Sequence, residues 1–149
     1  MPGTMNEYRF KDIISKEENK EECTSAEFQV TVTDEMMKKF LDISGDENPL
    51  HVDSSFASDH GFKDRVVYGM LTSSFYSRLA GMYLPGKYCL LHSVEISFKL
   101  PVFVGDTLKV SGFVKVKHEA TQTIEISAQI VNQDGKKVGK GKILAGFLE

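Results

Sequence analysis

Asp46 and His51 combine residue types and spacing that suit acid–base chemistry, a carboxylate and an imidazole five positions apart in Asp46-Glu47-Asn48-Pro49-Leu50-His51. An imidazole titrates near neutrality, and a neighbouring carboxylate can orient and tune it. Together they can hold one water, one group accepting a proton and the other donating. The residue types alone leave an ordinary alternative open, because Asp and Asn beside Pro are common turn and cap residues. A third chemical feature is Gly69, at the start of an apolar stretch. A glycine there can bring its main-chain N–H close to a carbonyl, where the helix dipole favours developing negative charge. Without further context it also reads as a tight turn before a helix. Cys23 and Cys89 lie 66 positions apart and form no CxxC pair, so neither a disulfide framework nor a zinc site is indicated.

The elements around these residues follow from hydrophobic spacing. Glu27-Phe28-Gln29-Val30-Thr31-Val32 alternates as a half-buried strand does. Thr33 reads as an N-cap with Asp34 and Glu35 in the first turn. Met36, Met37, Phe40, Leu41 and Ile43 then form an apolar helical face, and Gly45 stops it. Pro49 bars continuation from upstream, so residues 46–53 read as an irregular polar loop carrying the histidine, with Asp53 or Ser54 capping a short turn. The stretch from Gly69 to Tyr83 is apolar nearly all round, the mark of a buried helix, and Pro85-Gly86 ends it. From Leu90 the period becomes two, through Val94-Ile96-Phe98, Leu108 to Val116, Ile124 to Ile130 and a last strand over Val138 to Leu148. Asn132-Gln133-Asp134-Gly135 turns the chain before that strand. Early helices and late antiparallel strands predict an α+β domain with a sheet wrapped on one central helix.

Length and composition fit one such domain. The chain has 149 residues, 41% hydrophobic and 26% charged, enough to bury roughly two-thirds of the unfolded surface. Its 18 basic and 21 acidic residues leave a net charge of −3, which speaks against nucleic-acid binding. No signal peptide or membrane helix is indicated, so a cytoplasmic protein is expected. Residues 1–25, polar and then mixed in charge, are expected to be a loosely held N-terminal extension to a domain over residues 26–149.

Three blocks carry a resemblance. Ser44-Gly45-Asp46-Glu47-Asn48-Pro49-Leu50-His51-Val52-Asp53, then Tyr68-Gly69-Met70-Leu71, then Ile96 to Asp106 with its Ser97-Phe98, Pro101-Val102 and Gly105-Asp106, closely resemble the MaoC-like (R)-specific enoyl-CoA hydratases, in the family's order and spacing. The resemblance runs from about Phe28 to Leu148. It implies a hot-dog fold, a homodimer, and no cofactor or metal, with a coenzyme A or acyl carrier protein thioester as substrate. The implied reaction is (R)-specific hydration and dehydration, interconverting trans-2-enoyl and (3R)-hydroxyacyl thioesters. Asp46 and His51 match the residues that hold the catalytic water, the Gly69 N–H matches the donor to the thioester oxygen, and Asn48 and Ser77 match supporting residues. The split of acid and base between Asp46 and His51 stays open.

Two departures bear on this implication. Many relatives have His where Tyr68 stands, and often Gln near Val94. They motivate a second reading, a non-catalytic acyl-thioester-binding protein. A third, thioester hydrolysis, ranks lower because the Gly69–Tyr83 helix contains no Asp or Glu. Thr72, Ser73 and Ser77 are expected to face an acyl pocket, and Met70, Phe75, Tyr76, Leu79 and Met82 the core. Lys99, Lys136, Lys137, Lys140 and Lys142 are the cations on offer for coenzyme A phosphates.

Overall fold

The computed structural model describes residues 4–149. Strand β1 (Ser25–Thr31) leads to helix α1 (Asp34–Ser44), two short helices α2 (Pro49–Val52) and α3 (Ser54–Asp59), and the central helix α4 (Gly69–Arg78), which runs into a π-helical turn over Leu79–Tyr83. Four long strands follow: β2 (Cys89–Phe98), β3 (Thr107–His118), β4 (Thr123–Val131) and β5 (Lys137–Phe147). They form one antiparallel sheet in the order β1-β3-β4-β5-β2.

Period-two patterning sets the sheet's inner face. Leu108, Val110 and Val114 of β3 and Ile124, Ile126 and Ile130 of β4 are buried, while their neighbours along each strand are more open. Cross-strand register stacks Phe28, Val110 and Ile130 in a row across three strands. Leu71, Phe75, Tyr76, Leu79 and Ala80 of the central helix complete this core. The helix comes closest where the sheet lacks side chains. A Cβ at Gly112 would stand 2.9 Å from Leu79 Cδ2, and one at Gly141 would stand 3.0 Å from the Tyr76 ring. The result is the hot-dog arrangement of a sheet curled around one buried helix.

The ends of α1 are where local chemistry puts them. Thr33 Oγ1 accepts from the Met36 N–H at 3.2 Å, and Gly45, at φ 70°, donates its N–H to Leu41 O at 2.8 Å. Left-handed geometry at that position suits a residue without Cβ. Three hydroxyls of α4 are satisfied within the helix, Thr72 and Ser73 donating to Gly69 O and Ser74 to Leu71 O, whereas the buried Tyr76 hydroxyl has no hydrogen-bond partner among the described residues. Met70 departs from the expected core, with 60% of its surface exposed, because the first turn of α4 emerges beside a cavity. No helix among the described residues is long and apolar enough to cross a membrane.

The N-terminal segment is not loosely held over its described part. Phe10 and Ile13 are 9% and 2% exposed and belong to the core, and Lys117 Nζ donates to Ile13 O at 2.8 Å. Asn6 exchanges backbone hydrogen bonds with Met82 and Lys87, tying the segment to the far end of the central helix.

Candidate active site

Helix α1 ends at Gly45, and the chain turns twice on its own side chains. Asp46 Oδ1 accepts from the Asn48 N–H at 3.0 Å, and Asn48 Oδ1 accepts from the Leu50 N–H at 3.0 Å. Asn48 is thereby the N-cap of α2, and Pro49 occupies its first turn. The expected irregular loop is corrected here: His51 sits on one turn of helix. The same proline that cannot extend α1 is pre-set for a helix start, where its missing N–H costs nothing.

His51 is fixed from two sides. Its Nδ1 lies 2.6 Å from Val66 O, and its ring stacks on Tyr68 with centroids 4.3 Å apart and planes 30° apart. A carbonyl only accepts, so Nδ1 carries the hydrogen and Nε2 keeps a free lone pair in the neutral ring. Val66 is itself anchored, donating to Leu50 O at 3.1 Å and bridging to Phe103, while Val67 donates to Val102 O at 2.7 Å. The phenol of Tyr68 donates to Asp46 O at 2.7 Å. Burial, and then the charges of Asp46 and Glu47, push that phenol above its ordinary range, so it stays a protonated donor at neutral pH.

Asp46, His51, Tyr68 and Gly69 line one cavity of about 630 Å³, together with Thr72 and apolar walls from Phe40, Val67, Phe98, Leu100 and Val138. That volume is in the ordinary range of small-molecule sites. Gly69 is the first residue of α4, so its N–H lies outside the helix's own hydrogen-bond ladder and faces a ligand site. A Cβ at Gly69 would stand 2.7 Å from Cε1 of Phe98. Gly69→Ala is therefore expected to press this exposed ring across the cavity, lowering kcat/KM for enoyl thioesters by about tenfold or more. Steady-state kinetics with crotonyl-CoA would check it, and an unchanged kcat/KM would show that the ring yields freely.

Of the expected site residues, Asp46, His51 and Gly69 are brought together, and Asn48 lies at the cap that shapes their loop. Ser77 is not. Its side chain is exposed and it is absent from the cavity lining, since it stands eight residues along α4 from Gly69, roughly 12 Å farther down the axis. Of the three expected pocket-facing hydroxyls only Thr72 lines the cavity, and of the five lysines only Lys99. Gly105 and Asp106 act as turn chemistry: Gly105 has φ 98°, and Asp106 accepts from Phe103 N–H and Gln133 Nε2. Sequence reasoning missed the Val66 carbonyl, a main-chain group that leaves no trace in residue type. It marked Tyr68 only as a departure, and an aromatic directly before Gly69 was the available signal. No group of three or more His, Cys, Asp or Glu among the described residues is arranged to hold a metal ion.

Comparison with known proteins bears on this geometry. The model of the MaoC like domain family matches residues 16–135. The (R)-specific enoyl-CoA hydratase of Aeromonas caviae is 40% identical over 96 residues, covering 64% of this chain and 72% of that protein. Its counterpart from Rhodospirillum rubrum is 32% identical over 120 residues, covering 76% and 83%. In three dimensions, the A. caviae (R)-hydratase involved in PHA biosynthesis matches with a TM-score of 0.79 at 32% identity, over 83% of this chain and 94% of that one. An unliganded R-hydratase from Pseudomonas aeruginosa gives 0.85 at 27% identity, over 98% and 88%. With four-fifths of its length matched by the family model and its fold shared with these hydratases, the chain belongs to the MaoC-like domain family.

Proposed function

We propose that the protein is a hydro-lyase that interconverts trans-2-enoyl and (3R)-hydroxyacyl thioesters of coenzyme A or acyl carrier protein. The observation that carries this reading is the convergence of Asp46, His51 and the start of α4 on one apolar-walled cavity. In the hydration direction, His51 Nε2 accepts a proton as a water oxygen bonds to C3, and the C2=C3 π electrons move toward the thioester carbonyl. The Gly69 N–H donates to that carbonyl oxygen as it gains negative charge. A proton from the Asp46/His51 pair then forms the C2–H bond, so that one water has been added and the pair is restored. The Asp46 carboxylate holds the second hydrogen of the water and sets its approach. Asn48 supports the site by capping α2. Dehydration is the same path reversed, and the chemistry draws on no cofactor.

The remaining parts of the proposal are coarser. Lys99, at the cavity, is the cation nearest to hand for a coenzyme A phosphate. A homodimer is supported by β2, an edge strand of ten residues that exposes Leu90, Leu91 and Phe98. The hot-dog domain spans residues 26–149, and the preceding segment is an addition whose described residues pack on it, in a protein of the cytoplasm. The test is loss of the enoyl-thioester absorbance on mixing the protein with crotonyl-CoA. Turnover is expected. Silence across short and medium enoyl-CoAs and enoyl carrier proteins would refute the reading. Stabilisation by acyl-CoA without turnover would point to a binding protein instead.

A further inference from the structure

Tyr68 makes more contacts with the site than any sequence pattern requires. It is 2% exposed, and its side chain reaches two of the three reacting elements at once. Its hydroxyl donates to Asp46 O at 2.7 Å, and its ring stacks on His51 at 4.3 Å and meets the tilted Phe40 ring at 4.7 Å. Its carbonyl accepts from the Leu71 and Thr72 N–H groups, which starts the helix that presents Gly69.

The loop at Asp46 has little else to hold it. Asp46, Glu47 and Asn48 are exposed, and their turns are closed by near neighbours: Ser44 Oγ accepts from Asp46 N–H, Asp46 from Asn48 N–H, and Asn48 O from His51 N–H. Among the described residues, the hydrogen bond from Tyr68 is the one that ties residues 46–48 to a residue distant in sequence, while Leu50 and His51 are held by Val66. A buried neutral donor aimed at a main-chain oxygen fixes position without titrating. The ring, meanwhile, restricts the His51 imidazole to one plane, with Nδ1 toward Val66 O.

We propose that Tyr68 is a positioning residue, whose hydroxyl anchors the Asp46 backbone while its ring holds the His51 imidazole against Val66. This rests on Asp46 and His51 being the reacting pair. Tyr68→Phe removes the anchor and keeps the stack; Tyr68→Leu removes both. Misplacement of a reacting group by even an ångström is costly, so Tyr68→Phe is expected to lower kcat for crotonyl-CoA hydration about tenfold with KM within about twofold.

A second readout does not depend on turnover. Amide hydrogen exchange at Asn48 and His51 is expected to quicken about tenfold in Tyr68→Phe while the strands of the sheet keep their protection. Tyr68→Leu is expected to lose more kcat than Tyr68→Phe, each measured where circular dichroism shows the variant folded. An unchanged kcat in Tyr68→Phe, or unchanged exchange at both amides, would overturn the proposal. A wild-type protein without turnover would refute the hydratase reading instead, and the exchange measurement would then decide alone whether Tyr68 holds the loop.

Discussion

His51→Ala is expected to bring enoyl-thioester hydration down by about a thousandfold or more, the range in which removal of a positioned acid–base group falls. The substitution removes the Nε2 lone pair that Nδ1–H···O=C bonding to Val66 leaves available. It deletes no core side chain, since His51 is half-buried and outside the central cluster. Its structural cost is one carbonyl partner at Val66, about 1 kcal/mol. Asp46→Asn is the sharper companion. An amide oxygen can still accept from the Asn48 N–H, so the turn keeps its shape while the charge is lost. A loss of about a hundredfold or more in kcat is expected from that variant. If the two groups manage one water together, the double variant is expected to be little worse than His51→Ala, because groups that act as a unit are not additive. Rates from the enoyl absorbance, with circular dichroism to show folding, check all three. A His51→Ala protein within tenfold of wild type would remove His51 from the proton-transfer role.

Much of this site can be read from residue types because its determinants are local. Thr33 and Gly45 bracket α1, and Asp53 marks a helix start that the structure contains. The strands from Leu90 onward follow the alternation of Ile124, Ile126, Ala128 and Ile130, whose inward face the central helix covers. The proline that suggested a loop around His51 is compatible with two backbones, a break or a helix start. Only the Asn48 side chain, bonding Leu50, decides between them. Ser77 shows another boundary. Its match to a family serine eight residues after Gly69 fixes its position along α4, but that distance and its exposed side make it a poor partner for Asp46 within one chain. Val66 contributes through its carbonyl, and Tyr68 through a hydroxyl aimed 22 residues back along the chain. Contacts of that kind depend on tertiary placement, which no window of sequence contains.

The N-terminal segment is where a local reading fails most, and where the largest effect on stability is expected. Residues 4–24 contain few apolar side chains and no period, the pattern of a tail that buries little. Yet Phe10 meets Phe147 edge to face at 5.8 Å, and Lys117 Nζ lies 4.6 Å over the Phe10 ring while its hydrogen bond to Ile13 O fixes the next turn. The partners are more than a hundred positions away, at the ends of β3 and β5. A full aromatic ring removed from such a place leaves a cavity that a curled sheet cannot close. Phe10→Ala is therefore expected to destabilise the fold by about 3 kcal/mol, and Ile13→Ala by at least 2 kcal/mol or so, whereas the exposed neighbour Lys11→Ala is expected to stay within about 0.5 kcal/mol. Urea titrations of the three variants at one protein concentration decide the matter. A Phe10→Ala midpoint equal to that of Lys11→Ala would mean that the segment adds nothing to the core. Because this segment lies far along the sheet from Asp46, the kcat of folded Phe10→Ala is expected to match wild type, separating a stability residue from a catalytic one.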